Sequence, residues 1–168
     1  SMATAAVAAQ EEGEHRRGAA GDWRNRFLRA PYYRNYLTPA GLILDTFETA
    51  ITWDRFDAFY AGVRERVGRV LKEVSGAEPM LSCRFTHVYP DGPAPYFTLY
   101  CMGSRTGDMG AMLDRWRTIK LAANEAVTSL GGTVTHHHAV GRDHRPMGYD
   151  LQVPPLFRRA FAGTRHAL

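Results

Sequence analysis

Starting at Phe56, the apolar residues Phe59, Tyr60, Val63, Val67, Val70, Leu71 and Val74 return at steps of three and four. That spacing lays one apolar face along an amphipathic helix and predicts its end near Ser75-Gly76. Just upstream, Thr52 offers an N-cap and Asp54 an early acid. The same period returns over residues 108–130, with Met109, Met112, Leu113, Trp116, Ile119, Ala123, Val127 and Leu130, and Gly131-Gly132 stops it. Elsewhere the pattern shortens to strand length. Residues 42–50 are apolar and Thr-rich, residues 81–89 and 96–102 flank the turn Pro90-Asp91-Gly92-Pro93, and residues 133–138 form a last short run. The predicted order is strand, helix, strand, strand, helix, strand. This is the α+β, ferredoxin-like βαββαβ arrangement, an antiparallel sheet with helices on one face.

A sheet covered on one side must leave its other side to water or to a partner. A hairpin register that pairs Cys83 with Cys101, Phe85 with Leu99 and His87 with Phe97 puts these odd positions under the helices. The even positions Arg84, Thr86, Val88, Tyr96, Thr98 and Tyr100 then mix guanidinium, hydroxyls and phenols on the bare face. They suit a solvated surface or the wall of a ligand site.

Composition narrows the classes. With 45% hydrophobic and 23% charged residues over 168 positions, the chain can build a core, and disorder or a collagen-like repeat is excluded. No apolar stretch approaches the roughly 20 residues of a membrane span. The net charge of +4 is modest, so no nucleic-acid partner is expected, whereas anionic small molecules or lipid headgroups fit. Nearly all of the positive charge is arginine, which suits bidentate binding of phosphate or carboxylate. Cys83 and Cys101 make neither a disulfide framework nor a zinc set, which points to a reducing, cytoplasmic compartment. Residues 1–22 read as a flexible leader opening with a Ser-Met cloning scar, and residues 23–168 as the domain.

The most unusual local feature is Thr135-His136-His137-His138 followed by Ala139-Val140-Gly141. On a strand His136 and His138 would share a face and His137 would point away. His136 and His138 could form a metal pair with His144 as a third ligand, but no carboxylate or cysteine stands at a convincing ligand spacing, so no metal is expected. Ordinary strand histidines and acid–base groups are the remaining readings.

The segment GGTVTHHHAVGRDHRP, preceded by Tyr32-Tyr33-Arg34, FETAITWDR (47–55) and HVYPDGPAPYFTLY (87–100), resembles the carboxy-terminal domain of alkyldihydroxyacetonephosphate synthase and its bacterial relatives. These are FAD-linked oxidases of the vanillyl-alcohol oxidase type. The resemblance implies a cap over the flavin ring, with FAD held in the intact enzyme and not retained by this chain. An N-terminal FAD-binding domain is expected to precede the cap, and a short tail to follow it. By matched position it implies Arg34 as the clamp on the anionic substrate, a phosphate or carboxylate of a lipid precursor. Tyr96 becomes a catalytic proton donor or acceptor, His137 and His138 the handlers of the substrate C1 proton, and His136 a cofactor contact. The implied reaction exchanges the acyl group of acyl-dihydroxyacetone phosphate for a fatty alcohol, with no net redox change. Alongside the cytoplasmic location, peripheral membrane contact and a homodimer are further expectations. Two other readings stay open: the cap of an FAD-dependent hydroxy-acid dehydrogenase or oxidase, and a stand-alone ferredoxin-like binding module.

Overall fold

The computed structural model describes residues 22, 25, 26 and 28–167, so the leader expected over 1–22 falls almost wholly outside the described residues. The chain divides into two compact units, Ser1–Pro39 and Ala40–Leu168. In the first, a 3-10 turn over Ala30–Tyr33, with Pro31 in its opening positions, runs into the one-turn helix Arg34–Leu37.

The second unit carries a three-stranded antiparallel sheet of β1 (Leu42–Glu48), β2 (Met80–Val88) and β3 (Pro93–Met102), in the order β1-β3-β2. The helices α1 (Trp53–Ser75) and α2 (Met109–Ser129) pack on one face of it. Their periodic positions meet the odd strand residues: Phe59, Val63, Val67, Leu71, Ile119 and Val127 close over Ile43, Phe47, Phe97 and Leu99, all buried. Full burial of such side chains stabilises by about 1.5–3 kcal/mol each. Phe47 and Phe97 stack across the strand pair at 4.8 Å. Asp108 caps α2 by accepting from the Ala111 amide at 3.0 Å, and Gly76, at φ 67°, ends α1 in the left-handed region that suits glycine. Thr52 stands at the N-cap of α1 in extended conformation, but its side chain makes no capping bond.

Three expectations need correction. The hairpin register is shifted by four residues along β3, so Cys83 faces Phe97, Phe85 faces Pro95 and Cys101 pairs with Ile43 on β1. Odd still pairs with odd, so the sorting of residues between faces survives as far as Phe85. There a bulge intervenes: Phe85 pairs with Pro95 but His87 with Ala94, and the extra residue is Thr86. A bulge re-aims the side chain beyond it. His87 therefore leaves the helix-packed set and joins the bare face.

The last strand does not form among the described residues. Thr133 donates its amide to Ala50 O at 3.0 Å, and its hydroxyl accepts from the Ala50 amide at 2.9 Å. That is one rung beside the end of β1. Beyond it, side chains take the backbone groups that a ladder would need. The Val134 amide goes to Gln152 Oε1 at 2.9 Å, and the Thr135 hydroxyl turns back to His138 O at 3.0 Å. Such local side-chain bonds compete with strand pairing.

The periodicity gave no warning of the C-terminal elements: the irregular turn Arg145–Tyr149, the short Asp150–Gln152 helix, and α3 (Pro155–Ala167). Gly148 lies buried in that turn, where a Cβ would collide with Val134. No described helix is long and apolar enough to cross a membrane.

Candidate functional site

Glu48 ends β1 directly opposite Tyr96 on β3. Pro95, the next residue back along β3, accepts from the Thr49 amide at 3.1 Å but has no N–H to return, so the ladder stops there. The carboxylate is 1% exposed as a residue and stands on the face without helices. Thr86, at the bulge, hydrogen-bonds Glu48 Oε1 and also reaches Ala94 O at 3.2 Å. The second oxygen, Oε2, is buried without a hydrogen-bond partner.

All three histidines of the motif gather around this carboxylate. His137 Nδ1 is 2.9 Å from Oε2, at ion-pair distance. His138 Nε2 is 3.7 Å from Oε2, and His136 Nδ1 is 3.8 Å from Oε1. The two-face alternation expected for a strand is therefore wrong. Turning through Gly131, at φ 82°, and Gly132, where a Cβ would strike the Phe59 ring, the chain brings residues 136–138 over the end of the sheet as an irregular loop. Without a strand to alternate the rings, they can converge.

Two residues outside the expected set complete the cluster. His87, re-aimed by the bulge, has its ring centre 5.2 Å from those of both His136 and His137. Tyr89 OH lies 3.2 Å from His136 Nε2. Tyr96 meets His138 edge to face at 6.1 Å, and the Arg84 guanidinium lies over the Tyr96 ring at 4.6 Å. The expected site residues Tyr96, His136, His137 and His138 thus stand together. Arg34, the expected substrate clamp, belongs to the first unit, where it opens the helix Arg34–Leu37. Beside His136 and Tyr89 a cleft of 480 Å³ opens, with Thr52, Arg55, Asp91 and Thr133 also on its walls.

Donor atoms of Glu48, His87, His136 and His137 all fall within 4.8 Å of one another, so the geometry could hold a cation. This set differs from the His136, His138 and His144 trio weighed from spacing alone. His144 is instead buried behind the site, its Nδ1 without a hydrogen bond. Burial, reinforced by the Lys120 cation, holds its pKa below the ordinary value, while Asp143 pulls the other way.

Sequence reasoning missed Glu48 and the reorientation of His87. Two acids, Asp45 and Glu48, at positions of opposite parity in a strand otherwise rich in apolar residues were the available signal for the first. The bulge had no such signal, because Thr86 fits a regular strand equally well.

Residues 1–157 match the family described as FAD linked oxidases, C-terminal domain. Among curated proteins, an alkyldihydroxyacetonephosphate synthase of Caenorhabditis elegans is 30% identical over 66% of this chain and 18% of its own length. The synthase of Trypanosoma brucei brucei is 26% identical over 74% of the chain and 19% of its own length. The chain thus spans about a fifth of these relatives. A solved alkyldihydroxyacetonephosphate synthase structure superposes with a TM-score of 0.52 at 17% identity, over 71% of this chain and 20% of that one, which shows a shared fold. With nearly the whole chain matched and the fold shared, this protein belongs to the family of FAD-linked oxidase C-terminal domains.

Proposed function

We propose that this chain is the substrate-covering domain of an FAD-dependent, alkylglycerone-phosphate synthase-like enzyme, completed by an N-terminal FAD-binding domain. The observation that carries the reading is the convergence of His136, His137, His138 and Tyr96 at one end of the helix-free sheet face. The names of the curated relatives support the reaction class.

The donor set suits the ring end of a flavin. Imidazole N–H groups and the Tyr96 phenol stand where acceptors on a planar heterocycle can meet them, and the half-buried rings offer flat apolar surface. When bound, FAD would supply a centre able to take up and return an electron pair at the substrate carbon. The chain's own residues do the rest. Arg34 holds the phosphate of acyl-dihydroxyacetone phosphate bidentately. His137 or His138 takes the proton from substrate C1 and later returns it, and Tyr96 gives a proton to the departing fatty acid and accepts one from the incoming alcohol. The alcohol oxygen ends on C1 and the acyl group leaves as the free acid, so no net oxidation occurs. His136 faces the cofactor. The enzyme works in the cytoplasm at the membrane periphery, where a lipid precursor and a fatty alcohol would meet.

Tyr96→Phe tests this in the full-length flavoenzyme. The fold should be unchanged and turnover should fall by about 10²- to 10⁴-fold, the usual scale for a general acid or base. Unaltered turnover would remove Tyr96 from the mechanism. Steady reduction of an external electron acceptor by a hydroxy acid, with no exchange of acyl for alkyl, would move the enzyme to the dehydrogenase class.

A further inference from the structure

Glu48 plays no part in the chemistry just described, yet it is the residue around which the histidines are arranged. Its carboxylate is 1% exposed, Oε1 is taken by the Thr86 hydroxyl, and Oε2 is an unpartnered buried oxygen within 4 Å of both His137 and His138. An ionised carboxylate can only accept hydrogen bonds. Of the ring nitrogens around it, His137 Nδ1 is nearest at 2.9 Å, and this same nitrogen stands 3.1 Å from His136 Nδ1. Two nitrogens at that separation share one proton. The carboxylate decides which of them carries it, because at 2.9 Å the negative oxygen disfavours a bare, electron-rich Nδ1 on His137 and favours a protonated one. The proton therefore belongs on His137. His136 Nδ1 is left as an acceptor, so His136 carries its own proton on Nε2, aimed at Tyr89 OH 3.2 Å away.

We infer that Glu48 is the positioning residue of the histidine motif: pinned by Thr86, it fixes His137 as the Nδ1–H tautomer and His136 as the Nε2–H tautomer, leaving His137 Nε2 as a free base. The same logic governs the buried carboxylate of a catalytic triad, which orients an imidazole without itself exchanging a proton. His138, with Nε2 3.7 Å from the same Oε2, and His87, with Nδ1 3.2 Å from Thr86 Oγ1, are the other titratable groups of the cluster. The inference rests on the proposed function only for what the free base then does, namely proton transfer at substrate C1.

The test has two arms. In the ¹⁵N-labelled chain at about pH 8, where imidazoles are ordinarily neutral, long-range ¹H–¹⁵N correlations read each tautomer directly. The expected result is a proton on His137 Nδ1 and on His136 Nε2, with His137 losing its single tautomer in Glu48→Gln and keeping it in Glu48→Asp. The opposite tautomers in the unmutated chain would overturn the inference without recourse to any variant, as would an unchanged His137 in Glu48→Gln. Stoichiometric zinc retained by the unmutated chain and lost in Glu48→Gln would overturn it as well, because the Nδ1 atoms of a ligand set carry no proton. In the full-length flavoenzyme, Glu48→Gln should lower kcat by about 10²-fold or more with KM unchanged, and Glu48→Asp should restore part of it. Tautomers that respond as expected, with kcat unaffected, would uphold the role of Glu48 and remove His137 from the catalytic assignment.

Discussion

Two buried carboxylates sit three residues apart on β1 and face opposite sides of the sheet. Asp45 points into the helix-packed side, where Lys120 Nζ meets its Oδ2 at 3.0 Å and Trp116 Nε1 donates to the same oxygen at 2.9 Å. Lys120 is itself only 7% exposed and gives a further bond to Thr46 O at 2.9 Å. Glu48, on the bare side, has a hydroxyl on one oxygen and imidazole rings near the other, with no lysine or arginine paired to it among the described residues. A carboxylate matched by a lysine and an indole N–H is a closed structural unit. One surrounded by imidazoles can still respond to a proton, a ligand or a substrate, which is the property a reactive site needs.

That contrast should be largest in stability. Asp45→Ala strands the Lys120 cation in the core and is expected to cost about 3–5 kcal/mol. Glu48→Gln removes a charge that no lysine or arginine among the described residues balances, keeps the side chain's shape, and is expected to change stability by less than about 1 kcal/mol. Urea unfolding of the two variants beside the unmutated chain measures both. Equal losses would erase the distinction between a structural carboxylate and a positioning one.

The helix-packed half of this comparison was largely legible in the sequence. Phe59, Val63, Val67 and Leu71 at helical spacing, and Phe97 and Leu99 at strand spacing, are the buried core found in the structure. Hydrophobic periodicity reports burial against one broad partner, and a four-residue slip in hairpin register leaves such parity intact. The site was legible only in its residue types. His136, His137, His138 and Tyr96 came from motif and resemblance, but their convergence depends on Thr86 bulging and on residues 133–138 leaving the sheet. Both follow from individual side-chain bonds, Thr86 to Glu48 and Ala94, Val134 to Gln152, Thr135 to His138. No periodic pattern encodes a single bond between residues 18 positions apart, such as that from Val134 to Gln152. Where one carboxylate organises a loop, the pattern of the chain is silent and geometry must supply the rest.

A smaller effect sharpens the comparison at the boundary between the two sides, where His144 lies buried. Its burial, with Lys120 nearby, holds its pKa below the ordinary 6.5. On acidification the unfolded chain therefore takes up this proton first, and stability is lost as pH falls below about 6.5, at no more than about 1.4 kcal/mol per pH unit. Above that value the ring is neutral in both states and contributes no slope. In His144→Gln the melting temperature should consequently decline less steeply between about pH 7 and pH 5.5. Parallel profiles for the variant and the unmutated chain would show that the ring is free to ionise where it sits.

The smallest effect concerns chemical access to the two faces. Cys83 and Cys101 both lie on the helix-packed side. Burial pushes the Cys83 thiol up to about 11, an effect only partly offset by a backbone hydrogen bond from Tyr96. Burial likewise raises Cys101, with Arg115 acting in the opposite sense. Because the thiolate is the reactive form, roughly a thousandth of Cys83 is available at about pH 8, and alkylation by iodoacetamide should run about two orders of magnitude slower than for a free thiol. On the other face His137, whose side chain is 51% exposed, should be carbethoxylated readily by diethyl pyrocarbonate. Mass spectrometry after brief exposure to each reagent reads both at once: modified histidine beside intact cysteines is the expected pattern. Rapid stoichiometric labelling of Cys83 or Cys101 in the folded chain would mean that the helices open from the sheet. The side that holds Asp45 and Lys120 would then be no more closed than the side that holds Glu48.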